Sequence, residues 1–200
     1  MNKLGENTEI QTGLVLSRKQ AEKTSQVIKV YKQLNLKAIK NEGCIDMDLL
    51  EEFRANEILS KDYITQAGDI IVRLTTPYTA VLIDENCTGI VVPSHFIIIR
   101  TKKGQILPEY LFWFLNTDKV KMEIAKNKAS TTIGAVKPAV YASLEMDTLS
   151  LEEQKKIATV YSLAKREIQL YEQLKNEKEI FYKEAIREIY ENFKRKRSKQ

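Results

Sequence analysis

A chain of 200 residues has room for one domain of ordinary size and one additional element, or for two small domains at most. Hydrophobic residues make up 43% and charged residues 30% of it, which is typical of soluble globular proteins and excludes a disordered chain. The net charge of +5 is uneven, because residues 155–200 hold 13 Lys/Arg and 7 Asp/Glu whereas residues 1–154 hold 19 and 20. The basic C-terminal segment KRKRSKQ is equally consistent with nucleic-acid binding and with a solvated helix end, so charge alone does not make residues 1–154 a nucleic-acid binder.

Neither a membrane segment nor a zinc site is predicted. No run approaches the ~20 apolar residues of a membrane span, and the polar start MNKLGENTEI is not typical of a signal peptide. Two cysteines, Cys44 and Cys87, together with one histidine are too few for a zinc site of the usual kind. We interpret both as free thiols in a reducing compartment and predict a cytoplasmic protein without membrane association.

The first sixty residues show only weak patterns. Residues 13–19 begin with a short apolar run and lead into a polar stretch, and residues 20–33 fit either an ordered loop or an irregular helix. Residues 36–39 alternate as a half-buried strand does. After the turn signal Asn-Glu-Gly, residues 48–53 are predicted as a short helix.

From Gly68 onward the pattern changes to short strands rich in β-branched residues. Four are predicted, at residues 69–74, 80–83, 89–92 and 96–100. Their short lengths and the glycine turns between them favour a small curled sheet or partial barrel.

Short helices follow the strands. Pro108 at a first-turn position begins a helix over residues 109–115, and residues 118–125 form a second helix. The polar segment 126–137 is predicted as an exposed loop, and residues 144–148 as a last strand.

The last quarter, residues 150–196, is predicted as one long helix because it contains neither proline nor glycine. Ser150 with Glu153 three residues later is the capping-box signature of a helix start. The helix would be roughly 65 Å long at 1.5 Å per residue, too long for a domain of this size to cover. Apolar residues recur at coiled-coil spacing as far as Tyr171. A strict heptad would then place Lys175 and Lys178 in the apolar stripe, so the stripe shifts there through a stutter. The predicted dimer or partner contacts are Ile157, Tyr161, Ala164, Ile168, Tyr171, Leu174 and Phe181.

No enzyme motif is evident. The glycines form no G-x-G pair, which argues against dinucleotide fingerprints and phosphate loops, and His95 is the single histidine. The tripeptide at 76–78 resembles the end of an amino-methyltransferase tetrapeptide but lacks its first residue and second proline, so we interpret it as a turn. Residues 153–155 have the E-x-K spacing of some nucleases but belong to the predicted helix start. We therefore predict that the chain is not an enzyme and binds no cofactor or metal itself.

Nucleic-acid binding has support from polar segments on loops. The segment 126–137 combines lysines with hydroxyl groups, the turn after strand 69–74 adds an arginine with hydroxyl groups, and residues 18–19 are basic. Each segment is equally consistent with a solvated loop. The candidate DNA-binding residues are Arg18, Lys19, Arg73, Thr75, Thr76, Tyr78, Lys126, Lys128, Ser130, Thr131, Thr132 and Lys137.

Several stretches, in the same order and spacing, resemble the specificity subunits of type I restriction-modification systems. Together they cover residues 60–185, and the first sixty residues match only loosely. The family's apolar, proline-rich approach to the long helix is replaced here by Met-Asp-Thr-Leu-Ser at 146–150. The stretches are GDIIVR at 68–73, PSHFIIIR at 93–100, LPEYL at 107–111, FLNT at 114–117, the polar loop 130–142 and LEEQKKIA at 151–158.

The resemblance implies an α+β fold with a target-recognition domain at residues 1–149 and a helical spacer with a basic tail at residues 150–200. Family members carry two of each, so this chain resembles a half-subunit. Its expected function is to homodimerise, to read a split palindromic target in double-stranded DNA, and to position methyltransferase subunits that hold S-adenosylmethionine. A restriction subunit is a further candidate partner. Two other functions stay open: a coiled-coil adaptor whose head binds another protein, and a stand-alone repressor-like DNA binder.

Overall fold

The structure is a computed structural model of the chain. The residues it describes are 2–102, 104–128, 135–147 and 149–197. Two compact units are present, one that ends at Ala158 and one that begins at Thr159. The first combines small antiparallel sheets with short helices, and the second is helical, which confirms the α+β class and the long C-terminal helix.

The strands are β1 (Asn2–Lys3), β2 (Thr8–Thr12), β3 (Lys29–Gln33), β4 (Glu51–Ala55), β5 (Ile70–Arg73), β6 (Ala80–Leu82), β7 (Phe96–Thr101) and β8 (Glu145–Met146). The α-helices are α1 (Leu4–Asn7), α2 (Pro108–Leu115), α3 (Asp118–Lys128), α4 (Pro138–Ala142) and α5 (Leu151–Arg197). Short 3₁₀-helices lie at Leu16–Arg18, Thr24–Gln26, Met47–Leu49, Lys61–Tyr63 and Glu85–Cys87.

A four-stranded antiparallel sheet in the order β2-β7-β5-β6 is the centre of the first unit. Both of its faces are buried: Ile97 and Ile99 of β7 belong to one apolar cluster, and Phe96 and Ile98 belong to the other. Each such side chain contributes roughly 1.5–3 kcal/mol when it is removed from water. Burial on both sides explains why β5, β6 and most of β7 are continuously apolar and do not alternate.

The two faces are covered by different parts of the chain. Helices α2, α3 and α4 cover one face through buried residues that include Leu111, Ile124 and Tyr141. Loops cover the other face, with Leu34 and Ile83 among the buried residues. A third cluster lies under the separate two-stranded sheet β3–β4. Because both faces of the central sheet are covered, the loops that connect its strands lie at its two ends.

Two predictions for the N-terminal part are wrong. Residues 48–53 do not form one helix, because the 3₁₀-helix Met47–Leu49 ends there and β4 pairs with β3, which places Phe53 opposite Tyr31 in the third cluster. The loop or irregular helix expected at 20–33 contains strand β3 instead. Neither strand has a clear alternation of its own, and the cross-strand pairing decides their conformation.

Other segments differ in extent from the predictions. Residues 36–39 and 89–92 are not regular strands; Ile39 and Val91 take part only in isolated bridges. Residues 2–12, for which no element was predicted, form β1, α1 and β2. Strand β2 becomes regular because it pairs with β7 about 90 positions later in the chain, a partner that local sequence does not indicate.

The start of α5 follows the capping box that was predicted. The Ser150 backbone N–H donates to Glu153 Oε2 at 2.8 Å, and the Glu153 N–H donates to Ser150 Oγ at 3.3 Å. The hydrogen bonds from Ser150 hold the pKa of the Glu153 carboxyl below its usual value. The predicted helix start is therefore confirmed.

The first turns of α5 belong to the first unit because Gln154 fastens them there. Gln154 is 3% exposed, accepts from the Leu107 N–H at 2.9 Å, and donates to the carbonyls of Gln105 and Leu149 at 3.0 Å. Ala158 is buried one turn later. These hydrogen bonds fix the position of the helix start. A shift of the helix would leave the buried Gln154 amide and its backbone partners unpaired, which is costly.

One end of the central sheet is held by an ion pair between Asp69, which directly precedes β5, and Arg100 of β7. Arg100 Nε and Nη2 donate to the two carboxylate oxygens of Asp69 at 2.9 and 3.1 Å. Arg100 Nη2 also donates to the carbonyls of Lys61 and Ile64. The hydrogen bond with Asp69 raises the pKa of the Arg100 guanidinium, with a further contribution from the charges of Asp69 and Asp62.

Candidate nucleic-acid interface

The opposite end of the central sheet gathers segments that are far apart in sequence. Strands β2 and β5 end there and β7 begins there, since Thr12 pairs with Ile97 and Arg73 pairs with Phe96. The loops that leave this end carry two of the three predicted polar segments, the turn after Arg73 and the segment that leads to Arg18. Loops on a rigid sheet are common positions for binding residues.

Gly13 allows two of these loops to approach each other. A Cβ atom at Gly13 would lie 2.2 Å from the Pro93 carbonyl oxygen, which leaves no room for any side chain. On either side of this contact, the Leu14 N–H donates to Val92 O and the Ser94 N–H donates to Leu14 O, both at 2.8 Å. The segment after β2 is thereby fixed against the segment before β7.

The turn after β5 presents Arg73, Thr75 and Thr76 at this end. Arg73 Nε donates to Thr75 Oγ1 at 3.0 Å, which holds the guanidinium, and its two Nη groups make no hydrogen bond among the described residues. Thr76 is exposed, whereas Tyr78 is only 4% exposed and packs in the core at a φ of 57°. The interpretation of residues 76–78 as a turn agrees with this conformation. The side chain of Tyr78, however, is a core residue and does not join the exposed group.

The end of the predicted loop 126–137 reaches the same turn. The Val136 N–H donates to the Leu74 carbonyl at 3.0 Å, which places the exposed Lys137 beside it. His95 is also exposed here, and its carbonyl accepts from the Leu74 N–H at 3.0 Å. We refer to Arg73, Thr75, Thr76, His95 and Lys137 as the sheet-end surface.

Helix α3 extends further into this segment than was predicted, through Lys128, and Lys126 on it is exposed. Helix α4 follows at Pro138. The candidates Ser130, Thr131 and Thr132 lie outside the described residues, as does the side chain of Lys128.

Arg18 and Lys19 lie where the chain crosses from the sheet end to the β3–β4 sheet. Arg18 is exposed, but Lys19 Nζ is 2.8 Å from Glu57 Oε1, so much of its charge is neutralised. The structure adds Gln20 and Asn56 to this region, and both are exposed. No sequence signal connects them, since only the pairing of residue 20 with Ala55 brings them together.

The chemistry of these surfaces is that of binding. Cationic and hydroxyl side chains can donate to phosphate oxygens and base edges. In the described parts of the chain, no three His, Cys, Asp or Glu side chains are grouped to hold a metal ion. Burial, together with Asp84, raises the pKa of the Cys87 thiol to about 11, which keeps it protonated and unreactive. No helix in the described ranges is long and apolar enough to cross a membrane.

Helix α5 exposes apolar side chains along most of its length. Successive residues lie ~100° apart around an α-helix, which places most of these side chains in two stripes. The first stripe, which we call the seam, contains Ile157, Tyr161, Ala164, Ile168, Tyr171, Tyr182, Ile186, Ile189 and Phe193. The second stripe contains Leu163, Leu170, Leu174 and Phe181. Val160 lies between the two stripes, Tyr190 at the other edge of the seam, and Ile180 on the far side of the helix.

Near the start of α5 the seam residues are half-buried, and farther along they are exposed. Ile157 is half-buried against the core of the first unit, and burial raises the pKa of the Tyr161 hydroxyl. Farther along, Ile168 is 51%, Tyr171 64% and Phe181 63% exposed. Leu174 and Phe181, predicted as a continuation of the seam after a stutter, lie on the second stripe, about 100° around the helix.

No family model and no curated protein matches the sequence. The structure, in contrast, is similar to the HsdS subunit from Thermoanaerobacter tengcongensis, with a TM-score of 0.65 and 20% identity, over 88% of this chain and 44% of that chain. It is also similar to a chain from a study of complex assembly and conformational transition of the type I R-M system, with a TM-score of 0.62 and 21% identity, over 84% of this chain and 43% of that one. The chain thus has the fold predicted from the resemblance, and it spans less than half the length of these neighbours.

Proposed function

We propose that this chain is the DNA specificity subunit of a type I restriction-modification complex, in a half-subunit form. The observation that carries the proposal is the shared fold with an HsdS subunit over 88% of this chain but only 44% of that one. Such a chain would supply one target-recognition head and one helix.

The head is proposed to bind double-stranded DNA through the sheet-end surface and the neighbouring region of Arg18. Arg73 supports this role because its guanidinium is oriented by Thr75 and its Nη donors have no partner in the described ranges. Lys126 and Lys137 are exposed cations that can neutralise phosphate. A single head buries little surface, so we expect it to bind weakly, and two linked heads to bind much more tightly through effective concentration.

The seam is proposed to form a homodimer. Four residues spread along the seam lie at nearly the same angle around the helix: Ile157, Ile168, Tyr182 and Phe193. This straight stripe suits an antiparallel pair, in which the start of each seam packs against the end of the other. A twofold dimer requires the two DNA half-sites to be inverted repeats. The expected target is therefore a split palindrome.

The second stripe is proposed to bind the methyltransferase. A twofold rotation perpendicular to two antiparallel helices keeps each flank of the seam on its own side of the pair. The second stripes of both copies, which include Leu163, Leu174 and Phe181, would then lie on one face as a shared apolar surface. This explains why exposed apolar residues exceed what a two-helix seam can bury.

The proposal assigns no catalytic residue to this chain. S-adenosylmethionine and the flipped base would be bound by the methyltransferase, and cleavage would belong to a restriction subunit if one joins. Cytoplasmic DNA would be the substrate of the complex.

The test is to purify the full-length chain with the methyltransferase subunit of the same organism and to select bound sequences from random double-stranded DNA. A split inverted repeat should be enriched over the starting pool. Enrichment of no motif, with both proteins folded and bound to each other, would refute the proposal.

The dimer is tested separately with Ile168→Asp combined with Tyr171→Asp. Charged residues in the seam should give a monomer by light scattering, because two carboxylates cannot be buried there unpaired. The matched control is Arg166→Asp, on the opposite side of the helix, which should remain a dimer. A double variant with the mass of the wild-type protein would show that the seam is not the interface.

One observation favours a second function. Residues 1–154 carry 19 Lys/Arg and 20 Asp/Glu, so their net charge alone does not attract DNA. A coiled-coil adaptor whose head binds a protein has that charge balance. In that case a gel shift with random DNA should show no binding by the dimer at low salt, whereas the DNA-binding proposal expects a shift that weakens as salt rises.

A further inference from the structure

A shallow polar cleft lies between the segment after β2 and the end of β4. It has a volume of about 640 Å³ and is built almost entirely of side chains that hydrogen-bond. The lining residues that matter here are Arg18, Gln20, Glu22, Gln26, Asn56 and Glu57.

The backbone under the cleft is fixed by pairing. The Ala21 N–H donates to Arg54 O and the Asn56 N–H donates to Lys19 O, both at 2.9 Å, and Gln20 pairs with Ala55 in an antiparallel bridge. Gln20 and Asn56 therefore extend from two paired segments and not from free loops. Recognition groups on such a frame are held more precisely than groups on a mobile loop.

The groups in the cleft are available for an outside partner. Within the described parts of the chain, the side chains of Arg18, Gln20 and Asn56 make no hydrogen bond or ion pair. Gln26 accepts one bond, from the Lys23 N–H at 3.3 Å. Glu57 is paired with Lys19 at 2.8 Å.

The charge of the cleft argues against a phosphate site. Lys19 offsets Glu57, and Glu22 offsets Arg18, so the cleft is close to neutral. An excess of cations, which gives the strongest attraction to phosphate, is absent from the lining of the cleft, whereas Lys126 and Lys137 are exposed cations outside it. Side-chain amides, in contrast, carry a donor and an acceptor together, and in the major groove they bond to adenine as arginine does to guanine.

We propose that this cleft reads base edges of double-stranded DNA, with Gln20 and Asn56 bonding to adenine and Arg18 to guanine. The inference rests on the proposed function, since it assumes that the chain binds a specific DNA sequence. Gln20, Asn56 and Arg18 would then determine which sequence is bound. In this arrangement the cleft discriminates between bases, while exposed lysines elsewhere, such as Lys126 and Lys137, attract the DNA backbone.

The test uses the full-length chain with its methyltransferase and compares the motifs selected by wild type, Gln20→Ala and Asn56→Ala. Each variant should lose discrimination at one base pair of each half-site, by roughly 5- to 150-fold. Binding to non-specific DNA and its salt dependence should stay as in the wild type. The control Lys137→Ala should keep the motif and bind every sequence more weakly.

A change of preference provides a readout that damage to the fold cannot imitate. Gln20→Glu keeps the size of the side chain but replaces the amide donor by an acceptor, so preference at that position should move from adenine toward cytosine. If wild type selects a motif and all cleft variants select the same one, the inference is wrong while the proposed function stands. A uniform loss of affinity in the cleft variants would also overturn it, because it would indicate phosphate contact. If wild type selects no motif, both fail.

Discussion

The ion pair between Asp69 and Arg100 gives a prediction that can be worked out from its geometry. The Asp69 side chain is only 4% exposed, and besides Arg100 its one other donor in the described part of the chain is the Gln66 N–H at 3.0 Å. In Arg100→Met this carboxylate stays buried without its cation. Breaking a buried pair in this way costs ~3–5 kcal/mol, and because the Arg100 side chain is itself 23% exposed we expect about 2–4 kcal/mol.

The assay is unfolding of the full-length chain in urea or by heat, followed by fluorescence. The single tryptophan, Trp113, lies in α2 and reports on the first unit. The expected loss corresponds to roughly 4–16 °C in Tm. Asp69→Asn in the Arg100→Met background should recover part of it, because no unpaired carboxylate remains.

The matched control is Arg54→Met. Arg54 and Glu52 are 3.9 Å apart with both side chains 59% exposed, so this change should cost less than ~1 kcal/mol. If Arg100→Met lowers stability no more than Arg54→Met does, the ion pair does not hold this end of the sheet and the reasoning is refuted.

Four other substitutions test the remaining features. Gln154→Leu should destabilise the first unit by about 2–3 kcal/mol in urea, because it leaves the Leu107 N–H without its acceptor; an unchanged unfolding midpoint would contradict this. Glu153→Ala should lower the Tm at neutral pH, and since the folded pKa of Glu153 is depressed, the difference from wild type should vanish as pH falls through that pKa; a difference that persists in acid would point to another cause. Lys126→Ala and Lys137→Ala should each reduce the slope of log affinity against log salt by ~0.9, measured by fluorescence anisotropy, and an unchanged slope would mean no phosphate contact.

Local sequence predicted the elements that do not depend on contacts with distant parts of the chain. The long helix was predicted over residues 150–196 and is observed at Leu151–Arg197, because an unbroken helical period and a capping box need no distant partner. The strands β5 and β7 were found from their apolar, β-branched runs, which fit burial on both faces. The start of α2 was marked by Pro108.

The candidate site was predictable only in pieces. Arg73 with its hydroxyl neighbours was recognisable as a polar turn after a buried strand, and Lys137 as part of a basic loop. Their meeting through the Val136 bond to Leu74 was not, and neither was the burial of Tyr78 in the core. Gln20 and Asn56 carry no signal at all, because an amide on a surface is ordinary until its neighbours are known.

The sequence by itself therefore determined the α+β class, the central strands and the helix with its exposed stripes. Only the tertiary structure decided the β3–β4 sheet, the place of β2, and which polar residues face one another. The physical reason is the range of the interactions. A helix forms its hydrogen bonds with residues four positions away, whereas β2 is stabilised by β7 and the cleft by segments that only the complete fold brings together.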